Sequence, residues 1–303
     1  MVDIALISDK NFINQVIITI TSLYLNSNKN VKYNIYVLCN DVDLENQQKL
    51  KSYSKDNINI YTIDAQDYIK DLPEFKNGNW HVNKSAIIKF YLPIIFKDLD
   101  KILYLDSDIL ILKDLDELNN IDIKDYYISA VVDGFTHIIN KEYLLKHKIC
   151  NKVYFNSGVM LLNLKKMSED NVTEKLIDYR INNKAYCMDQ DALNFVMGAK
   201  LKNLSYKYNL QMTIFEKNKF EDFCKIYNDF SSKNKKEIIK NACILHFADE
   251  RKPWIFNRGY YTKLYKYYYK KAGLGKFFPK WWELKTYSFS LRKIIIIIKI
   301  LMG

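Results

Sequence analysis

Two carboxylates, Asp106 and Asp108, interrupt an otherwise apolar run, KILYLDSDILIL, that extends from Lys101 to Leu112. A run of this kind, rich in β-branched residues, is typical of a strand buried in a parallel sheet. Because residues i and i+2 of a strand point to the same side, the run predicts that the two carboxylates project together. Burying two like charges is costly unless a cation compensates them, and their hard oxygen atoms favour Mg²⁺ or Mn²⁺. On chemistry alone, the alternative interpretation is a solvated turn, since D-x-D triplets also arise by chance.

The elements around this run alternate between strands and helices. Strands are predicted at 2–7, 31–38, 58–63, 127–133, 154–162 and 243–247, and helices at 12–25, 44–53, 84–96, 165–182 and 190–197. This alternation indicates βαβ units and a parallel sheet, at whose carboxyl edge ligands bind. Neither G-x-G-x-x-G nor a P-loop follows the first strand, which argues against a dinucleotide site and ATP-driven phosphoryl transfer. The polar segment 64–80 is long for a connection and is predicted to be a lid.

Composition and charge narrow the class of protein further. The chain has 303 residues, of which 49% are hydrophobic and 27% charged, which suits one sizeable α/β domain or two small ones. Five scattered cysteines without a C-x-x-C pair argue against a zinc site or a disulfide framework and fit a reducing cytoplasm. We expect neither a signal peptide nor a conventional membrane-spanning helix. Of the net charge of +11, residues 259–303 contribute +9, from nine lysines and one arginine against one glutamate.

Four motifs occur in the order and at the spacing of a known family: KILYLDSD, YFNSGVMLLNLKK, DQDALN and HFADERKPW. Over residues 2–255 the chain resembles the glycosyltransferase family 8 galactosyl- and glucosyltransferases, especially the bacterial enzymes that extend lipopolysaccharide and lipo-oligosaccharide. The resemblance implies an α/β GT-A Rossmann-like fold with a mostly parallel central sheet, forming one catalytic domain over residues 1–258. It also implies a nucleotide-activated sugar donor, a divalent metal and retention of the anomeric configuration.

By this resemblance, Asp106, Asp108 and His246 are the metal ligands, and the histidine shifts the preferred ion towards Mn²⁺, with Mg²⁺ as the alternative. A metal that bridges the departing diphosphate stabilises the charge that develops there. Outside its motif, His246 would be interpreted as a core histidine at a strand end. The resemblance implies a donor-binding set that consists of Asp9, Asn11, Lys89, Asp106, Ser107, Asp108, Asp133, Asn156, Ser157, Asp189, Gln190, His246 and Lys252.

The resemblance also assigns the catalytic residues. Gln190 matches the position nearest the reacting carbon and Asp189 precedes it, so these two are the predicted catalytic residues. An amide is a poor nucleophile, which favours same-face attack, with Gln190 as a positioning group, over a covalent intermediate. Three residues depart from the family pattern: Lys10 replaces a residue that is often acidic, Lys89 an arginine and Asp249 a glycine. A lysine lacks the bidentate geometry of arginine, and a carboxylate at residue 249 would repel a diphosphate unless it turned away.

The segment 259–303 is predicted to be a basic, aromatic helical tail. Its tyrosines and two tryptophans, Trp281 and Trp282, are interleaved with lysines, and the apolar run Ile294–Ile298 follows. This mixture is typical of a segment that lies on an anionic membrane surface. The alternatives are nucleic-acid binding and a helix packed on the catalytic domain. A lipid-linked acceptor favours the membrane, so we expect no nucleic acid and predict a cytoplasmic protein associated peripherally with the inner face of the cell membrane.

These features predict a retaining, Mn²⁺-dependent hexosyltransferase. It would move galactose or glucose from a UDP-sugar to a cell-envelope glycan acceptor, such as lipopolysaccharide or another lipid-linked oligosaccharide. The alternative is a non-catalytic sugar-nucleotide- or glycan-binding module of the same fold, although such a module would not need all three predicted metal ligands. A third interpretation, a metal-dependent phosphohydrolase with the D-x-D as its nucleophile pair, is disfavoured by the other motifs.

Overall fold

The computed structural model describes residues 1–73, 76–77, 80–81, 84–139, 142, 144–145, 153–183, 187–215, 220–227, 234–256 and 259–277. The chain comprises two compact units, Met1–Asp249 and Glu250–Gly303. The described strands are β1 (Val2–Asp9), β2 (Tyr33–Asn40), β3 (Ile58–Asp64), β4 (Lys76–Asn77), β5 (Trp80–His81), β6 (Ile102–Leu105), β7 (Ile109–Ile111), β8 (Ile128–Val132), β9 (Phe155–Leu162), β10 (Leu201–Asn203), β11 (Leu210–Gln211) and β12 (Ile244–His246).

The helices are of two kinds. The described α-helices are α1 (Ile13–Asn26), α2 (Leu44–Lys51), α3 (Gln66–Ile69), α4 (Leu92–Ile95), α5 (Asp116–Asn119), α6 (Gly134–Ile139), α7 (Leu164–Glu169), α8 (Val172–Asn182), α9 (Met188–Met197), α10 (Phe220–Ile226), α11 (Lys235–Asn241) and α12 (Tyr260–Lys271). Four 3₁₀ helices are described as well, at Lys84–Tyr91, Gly198–Lys200, Tyr206–Tyr208 and Met212–Phe215.

The central sheet has seven strands in the order β10-β8-β9-β6-β1-β2-β3. Neighbouring strands are parallel except for β9, which runs antiparallel to both β6 and β8. The predicted α/β fold with a mostly parallel sheet is therefore confirmed. Because β9 runs the other way, its first residues lie beside the last residues of its neighbours, with Val159 opposite Leu105 and Phe155 opposite Val132. Polar residues that follow β6 and β8 thus meet the start of β9 at one edge of the sheet.

Helix α1 packs against β1 of this sheet and against β7. Its buried side chains include Ile13, Val16, Ile17 and Ile20, at the i, i+3, i+4 and i+7 spacing of an amphipathic helix. Burial of each such aliphatic side chain contributes roughly 1.5–3 kcal/mol to stability. The same helix also buries three hydroxyl-bearing residues, Thr19, Thr21 and Ser22.

The predicted continuous strand over Lys101–Leu112 is wrong, because the run forms two strands in two different sheets. β6 belongs to the central sheet, whereas β7 joins a three-stranded sheet of order β11-β12-β7. The chain leaves the central sheet after Asp106, whose N–H donates to the carbonyl of Gly158 at 2.8 Å. Asp106, Ser107 and Asp108 therefore form the connection between the two sheets. The carboxylates are brought to one side by this connection and not by strand alternation.

Two predicted helices also differ from the structure. The segment 84–96 begins as the 3₁₀ helix Lys84–Tyr91 and becomes α-helical only at α4. The segment 165–182 is divided into α7 and α8 at Asn171, which adopts the left-handed conformation with φ 49°. Asparagine tolerates that conformation better than most residues, so it ends one helix and starts the next. Of the predicted lid over 64–80, the described part contains α3 and the short strands β4 and β5.

The second unit contains α12, a helix of tyrosines and lysines. Tyr265 and Tyr268 of this helix are buried, whereas Tyr260 and Tyr267 are more than half exposed. The ring centroids of Trp254 and Tyr265 lie 5.1 Å apart. The predicted boundary after residue 258 stays a prediction, and the tryptophan pair and isoleucine run of the tail lie outside the described residues. No helix among the described residues is long and apolar enough to cross a bilayer.

Candidate active site

The side chains of Asp106, Asp108 and His246 converge on one point. One ligand atom from each can be chosen so that all three lie within 4.8 Å of one another. His246 Nε2 lies 3.2 Å from Asp108 Oδ1 and 3.8 Å from Asp106 Oδ2. Two carboxylates and one imidazole form a donor set that suits a divalent ion such as Mn²⁺. The structure thus brings together the three residues predicted to hold the metal.

Backbone pairing places the histidine beside the second carboxylate. β12 pairs antiparallel with β7 so that His246 lies opposite Ile109, and the N–H of Phe247 donates to the carbonyl of Asp108 at 3.0 Å. His246 Nδ1 lies 2.9 Å from Asn209 Oδ1, which can only accept a hydrogen bond. A proton on Nδ1 completes that hydrogen bond and leaves Nε2, the nitrogen nearer to the carboxylates, as the one available to a metal ion.

The two oxygens of Asp106 have different surroundings. Oδ1 accepts a hydrogen bond of 2.7 Å from the Tyr104 hydroxyl and lies 3.2 Å from Lys89 Nζ. Burial, together with the charge of Asp106, raises the pKa of Tyr104 well above its usual value, so the hydroxyl remains a donor. Oδ2 is the oxygen that faces His246. Asp106 therefore presents one oxygen to the predicted metal position while the other is engaged by protein donors.

Three polar side chains of α1 hydrogen-bond the backbone of the D-x-D connection and of β7. The hydroxyl of Thr19 donates to the carbonyls of Ser107 and Ile109 at 3.2 and 3.0 Å. One turn further on, Ser22 Oγ accepts from the N–H of Ile111 at 2.9 Å, and the carbonyl of Ile111 accepts from Asn26 Nδ2 at 2.9 Å. Spaced along one face of the helix, these side chains satisfy backbone groups that a further strand would otherwise pair with. Helix α1 thereby fixes the backbone that carries Asp106 and Asp108.

Gly158 allows β9 to approach the three converging side chains. A Cβ atom built on this glycine would lie 2.8 Å from Asp106 Oδ2 and would overlap the ring of His246. Any larger residue would have to displace groups that the structure holds by hydrogen bonds. The glycine of the NSG sequence is therefore required for space, and its φ is not among the positive values.

A second group of polar side chains lies buried at the start of β9. Asp133 Oδ2 accepts hydrogen bonds from Gln190 Nε2 at 2.9 Å and from Asn156 Nδ2 at 3.3 Å. Gln190 Oε1 in turn accepts from the N–H of Ser157 at 2.9 Å. These four predicted site residues, each less than a tenth exposed, therefore form one connected network. Asn209 Nδ2 joins this network to the histidine by donating to Asn156 Oδ1 at 2.8 Å.

Lys89 bridges two of the predicted site carboxylates. Its Nζ lies 2.7 Å from Asp189 Oδ2 and 3.2 Å from Asp106 Oδ1. Burial alone would lower the pKa of Lys89, but the charges of these two aspartates outweigh burial and hold the pKa above its usual range. Ser157 Oγ also donates to Asp189 Oδ2 at 3.0 Å. A buried, charged ammonium thus connects Asp106 with the segment that carries Asp189 and Gln190.

Helix α9 is docked on β9 by two buried side chains. Asn194 accepts from the N–H of Phe155 at 2.7 Å and donates to the carbonyl of the same residue at 2.9 Å. Asp191 accepts from the hydroxyl of Tyr154 at 2.5 Å and from the N–H of Cys187 at 3.1 Å. Because Gln190 directly precedes Asp191 and lies one turn before Asn194 on the same helix, these anchors fix its position relative to the strand.

Asp9 and Asn11 lie at the end of β1. Asp9 Oδ1 accepts from the N–H of Asn11 at 2.8 Å, which forms the turn that leads into α1. The strand is connected to the D-x-D segment through Ser107, whose hydroxyl donates to the carbonyl of Ile7 at 2.6 Å. The adjacent Lys10 forms an exposed ion pair of 2.8 Å with Asp41. These residues therefore lie at the same sheet edge as the D-x-D segment, on the predicted nucleotide side.

Lys252 belongs to the second unit, so it is described apart from the residues above. Its Nζ lies 5.9 Å from the ring centroid of Trp254. The part that it plays in donor binding stays a prediction. The same holds for the effect of Asp249, the last residue of the first unit.

Sequence reasoning missed Tyr104, Asn194 and Asn209, which hold predicted site residues by hydrogen bonds. Tyr104 is two residues before Asp106, so strand alternation could have indicated that it lies on the same side. Asn194 is four residues after Gln190, and its amide donates to the Gln190 carbonyl at 2.9 Å, as helical spacing allows. Asn209 is distant in sequence from both of its partners and carried no such signal.

Comparison with known proteins defines the class first. The galactosyltransferase LgtC, solved in complex with donor and acceptor sugar analogs, superposes with a TM-score of 0.66 over 93% of this chain and 99% of that chain. At 20% identity this likeness shows the fold alone, which is that of the GT-A glycosyltransferases. The predicted GT-A fold is therefore confirmed.

The family follows from the sequence comparisons. The model of glycosyl transferase family 8 matches residues 3–258. A lipopolysaccharide 1,2-glucosyltransferase of Escherichia coli is 30% identical over 261 residues, which are 81% of this chain and 71% of that protein. A lipopolysaccharide 1,3-galactosyltransferase of Salmonella typhimurium is 28% identical over 221 residues, 68% of this chain and 62% of the relative. That match spans less than two thirds of the Salmonella relative. The chain belongs to glycosyl transferase family 8, as predicted. The prediction that it is a glycosyltransferase is therefore confirmed at the level of the family.

Proposed function

We propose that this protein is a retaining hexosyltransferase that moves galactose or glucose from a UDP-sugar to a hydroxyl of a cell-envelope glycan, with Mn²⁺ as its metal. The observation that carries the proposal is the convergence of Asp106, Asp108 and His246 beside a buried network of polar side chains, in a chain of family 8. The choice between the two hexoses is left open, since one of the cited relatives is named for glucose and the other for galactose.

The predicted ligands suit the leaving group of such a reaction. A divalent ion held by Asp106, Asp108 and His246 would offset the negative charge of the departing diphosphate. Lys89 adds a permanent positive charge beside Asp106, at the position where the family pattern has an arginine. A compact ammonium acts there as a point charge, because it lacks the two-pronged geometry of a guanidinium.

The polar network is suited to a sugar ring. Asp133, Asn156 and Gln190 offer carboxylate and amide groups whose directions are already fixed by mutual hydrogen bonds. Groups held in this way bind sugar hydroxyls without a further cost of ordering, and they distinguish epimers by the direction of one hydroxyl. Asp9 and Asn11, at the end of β1, are proposed to hold the uracil and the ribose.

Gln190 suits a same-face reaction better than a double displacement. Its carboxamide is held at both ends, by Asp133 and by the N–H of Ser157. Because an amide is a poor nucleophile, we assign Gln190 a positioning and electrostatic role. The acceptor oxygen then bonds to the anomeric carbon on the face from which the phosphate oxygen departs, and that phosphate oxygen receives the acceptor proton. Asp189, paired with Lys89 and Ser157, completes the charged side of the site.

Activity with defined donors tests the proposal. We would measure UDP release from a panel of UDP-sugars, with Mn²⁺ and with a chelator, in the wild type and in Asp108→Asn. Asp125→Asn, a change at an exposed aspartate outside the site, is the matched control. We expect Mn²⁺-dependent turnover of UDP-galactose or UDP-glucose in the wild type and the control, and its loss in Asp108→Asn.

Two other outcomes would redirect the proposal. Tight Mn²⁺-dependent binding of UDP without turnover, even with glycan acceptors present, would favour a binding module of the same fold. An absence of both UDP binding and turnover would overturn the assignment. The anomeric configuration of the product, read by NMR, decides between retention and inversion.

Association with a membrane is the second part of the proposal. α12 exposes Lys263, Lys266, Lys270 and Lys271 together with two tyrosines, Tyr260 and Tyr267. Lysines attract an anionic leaflet and tyrosine rings favour the headgroup region, which fits an enzyme acting on a lipid-linked acceptor. Replacement of the four lysines by glutamine should reduce co-sedimentation with anionic vesicles. Unchanged sedimentation would show that this helix is not the membrane contact.

A further inference from the structure

We infer that Asn209 is a positioning residue that couples the metal-binding residues to the sugar-binding network, in a site whose function rests on the proposal above. Asn209 follows the 3₁₀ helix Tyr206–Tyr208 and is almost fully buried, at 1% exposure. Its amide oxygen faces His246, and its amide nitrogen faces Asn156. None of the sequence motifs described above includes it.

The direction of each hydrogen bond in this chain of side chains can be deduced from one backbone group. The N–H of Gly158 can only donate, and it donates to the side-chain oxygen of Asn156 at 3.0 Å. That assignment identifies the Asn156 oxygen, so the group of Asn209 that lies 2.8 Å from it must be the donating nitrogen. The oxygen of Asn209 is then the atom that faces His246 Nδ1.

This direction determines the tautomer of the histidine. An amide oxygen opposite Nδ1 requires a proton on Nδ1, so a metal ion held beside Asp106 and Asp108 would bind His246 through Nε2. A metal ligand oriented by a hydrogen bond from its second nitrogen binds metal more tightly, and losing such a partner typically weakens affinity about 10–100-fold. Asn209 therefore acts on the metal through His246, without contact with the ion itself.

The other end of the chain reaches the sugar-binding residues. With its oxygen engaged by Gly158 and Asn209, Asn156 directs its nitrogen at Asp133 Oδ2, 3.3 Å away. Asp133 Oδ2 also receives Gln190 Nε2. Consecutive hydrogen bonds thus link His246 through Asn209 and Asn156 to the carboxylate that orients Gln190. We expect metal binding and donor-sugar binding to be coupled for this reason.

Two substitutions separate the two bonds of the Asn209 amide. Asn209→Ala removes both bonds. Asn209→Asp keeps an oxygen opposite His246 Nδ1 but cannot donate to Asn156. Asn163→Ala is the matched control, since the side chain of this partly buried asparagine, at the start of α7, bonds backbone groups of the described residues and none of the site side chains. It should lose stability without affecting the site.

Three measurements on the full chain test the inference. Mn²⁺ affinity is measured by EPR titration in the absence of any donor. The His246 tautomer is read from ¹⁵N shifts of the metal-free protein at mildly alkaline pH, with His246→Gln to assign the signal. Affinities for UDP and for the UDP-sugar are then compared in the presence of Mn²⁺, so that the contribution of the sugar is isolated.

For Asn209→Ala we expect Mn²⁺ affinity to fall about 10–100-fold and the Nδ1–H tautomer to be lost, while Asn163→Ala retains both. For Asn209→Asp we expect Mn²⁺ and UDP affinities close to wild type but weaker binding of the UDP-sugar. Wild-type Mn²⁺ affinity and tautomer in Asn209→Ala would overturn the inference while leaving the proposed function intact. Failure of the wild type to bind Mn²⁺ would overturn both.

Discussion

The hydroxyl of Tyr154 donates a hydrogen bond of 2.5 Å to Asp191 Oδ1, in an interior where neither residue is exposed. This bond joins the residue before β9 to the first turn of α9, the two segments that carry Asn156 and Gln190. Tyr154→Phe leaves the buried carboxylate with one donor fewer, which should cost about 1–3 kcal/mol of unfolding free energy. Combining it with Asp191→Asn in a double-mutant cycle under chemical denaturation should give a loss smaller than the sum of the single losses, because one interaction is removed twice. Strictly additive losses would show that the bond contributes nothing specific.

Lys89 should contribute strongly to the stability of the protein when no metal is bound. Lys89→Met leaves Asp106 and Asp189 partly buried without their shared cation, and loss of one member of a buried ion pair costs about 3–5 kcal/mol. Lys84→Met, on the same 3₁₀ helix, is the control, because Lys84 is more exposed and bonds a backbone carbonyl. Denaturant unfolding with chelator should show the difference, and added Mn²⁺ should recover part of the loss by compensating Asp106. Equal losses in the two variants would contradict this account.

Thr19 should influence metal binding from a helix that holds none of the predicted ligands. Thr19→Val removes the two hydrogen bonds to the carbonyls of Ser107 and Ile109 while keeping the volume of the side chain. The unpaired buried carbonyls should reduce stability by about 1–3 kcal/mol, and the loosened connection should weaken Mn²⁺ affinity. Thr21→Val, at another buried threonine of the same helix, provides the comparison. If both variants bind Mn²⁺ like the wild type in an EPR titration, the helix does not position the carboxylates.

His137 should make stability depend on pH. Its Nε2 accepts a hydrogen bond of 2.8 Å from the N–H of Tyr154, and burial lowers the pKa of His137 below its ordinary value of 6.5. Below about pH 6.5 the unfolded chain therefore binds a proton that the folded chain does not, so folding loses stability as the pH falls. His137→Gln keeps an acceptor but does not titrate, so its unfolding free energy should fall less between about pH 7 and about pH 5. Parallel pH profiles for the two proteins, measured by urea unfolding, would exclude this contribution.

The sequence predicted the parts of this protein whose signal is local. The apolar periodicity of α1 and the alternation of β1, β2 and β3 with helices identified the first half of the sheet. The D-x-D run was interpreted as one strand, because an apolar run has the same appearance whether it continues in one sheet or crosses to another. The break at Asn171 was missed because an asparagine inside a helical pattern tolerates the left-handed conformation but does not by itself require it.

The site was predicted residue by residue only where the family resemblance assigned it. Strand β9 runs antiparallel to its neighbours, which brings Asn156 and Gly158 beside Asp106. The direction of a strand depends on the strands that it pairs with in the folded chain, so the residues of β9 alone could not predict it. Asn209 was missed for the same reason, since both of its partners are distant in sequence. Hydrogen bonds of this kind are determined by topology, whereas the predicted ligands were identified by residue type and resemblance.

The pairing of β12 with β7 also has a consequence for the order of assembly during synthesis. Asp106 and Asp108 leave the ribosome long before His246, and β7, the strand that follows them, has no antiparallel partner until β12 has been made. The ion-binding group can therefore form only when nearly all of the first unit has been translated. Because a ligand that binds only the native state stabilises only that state, metal would favour the finished unit and not its shorter precursors. Because His246 lies near the end of the first unit, metal binding to all three residues would report that this unit has been completed.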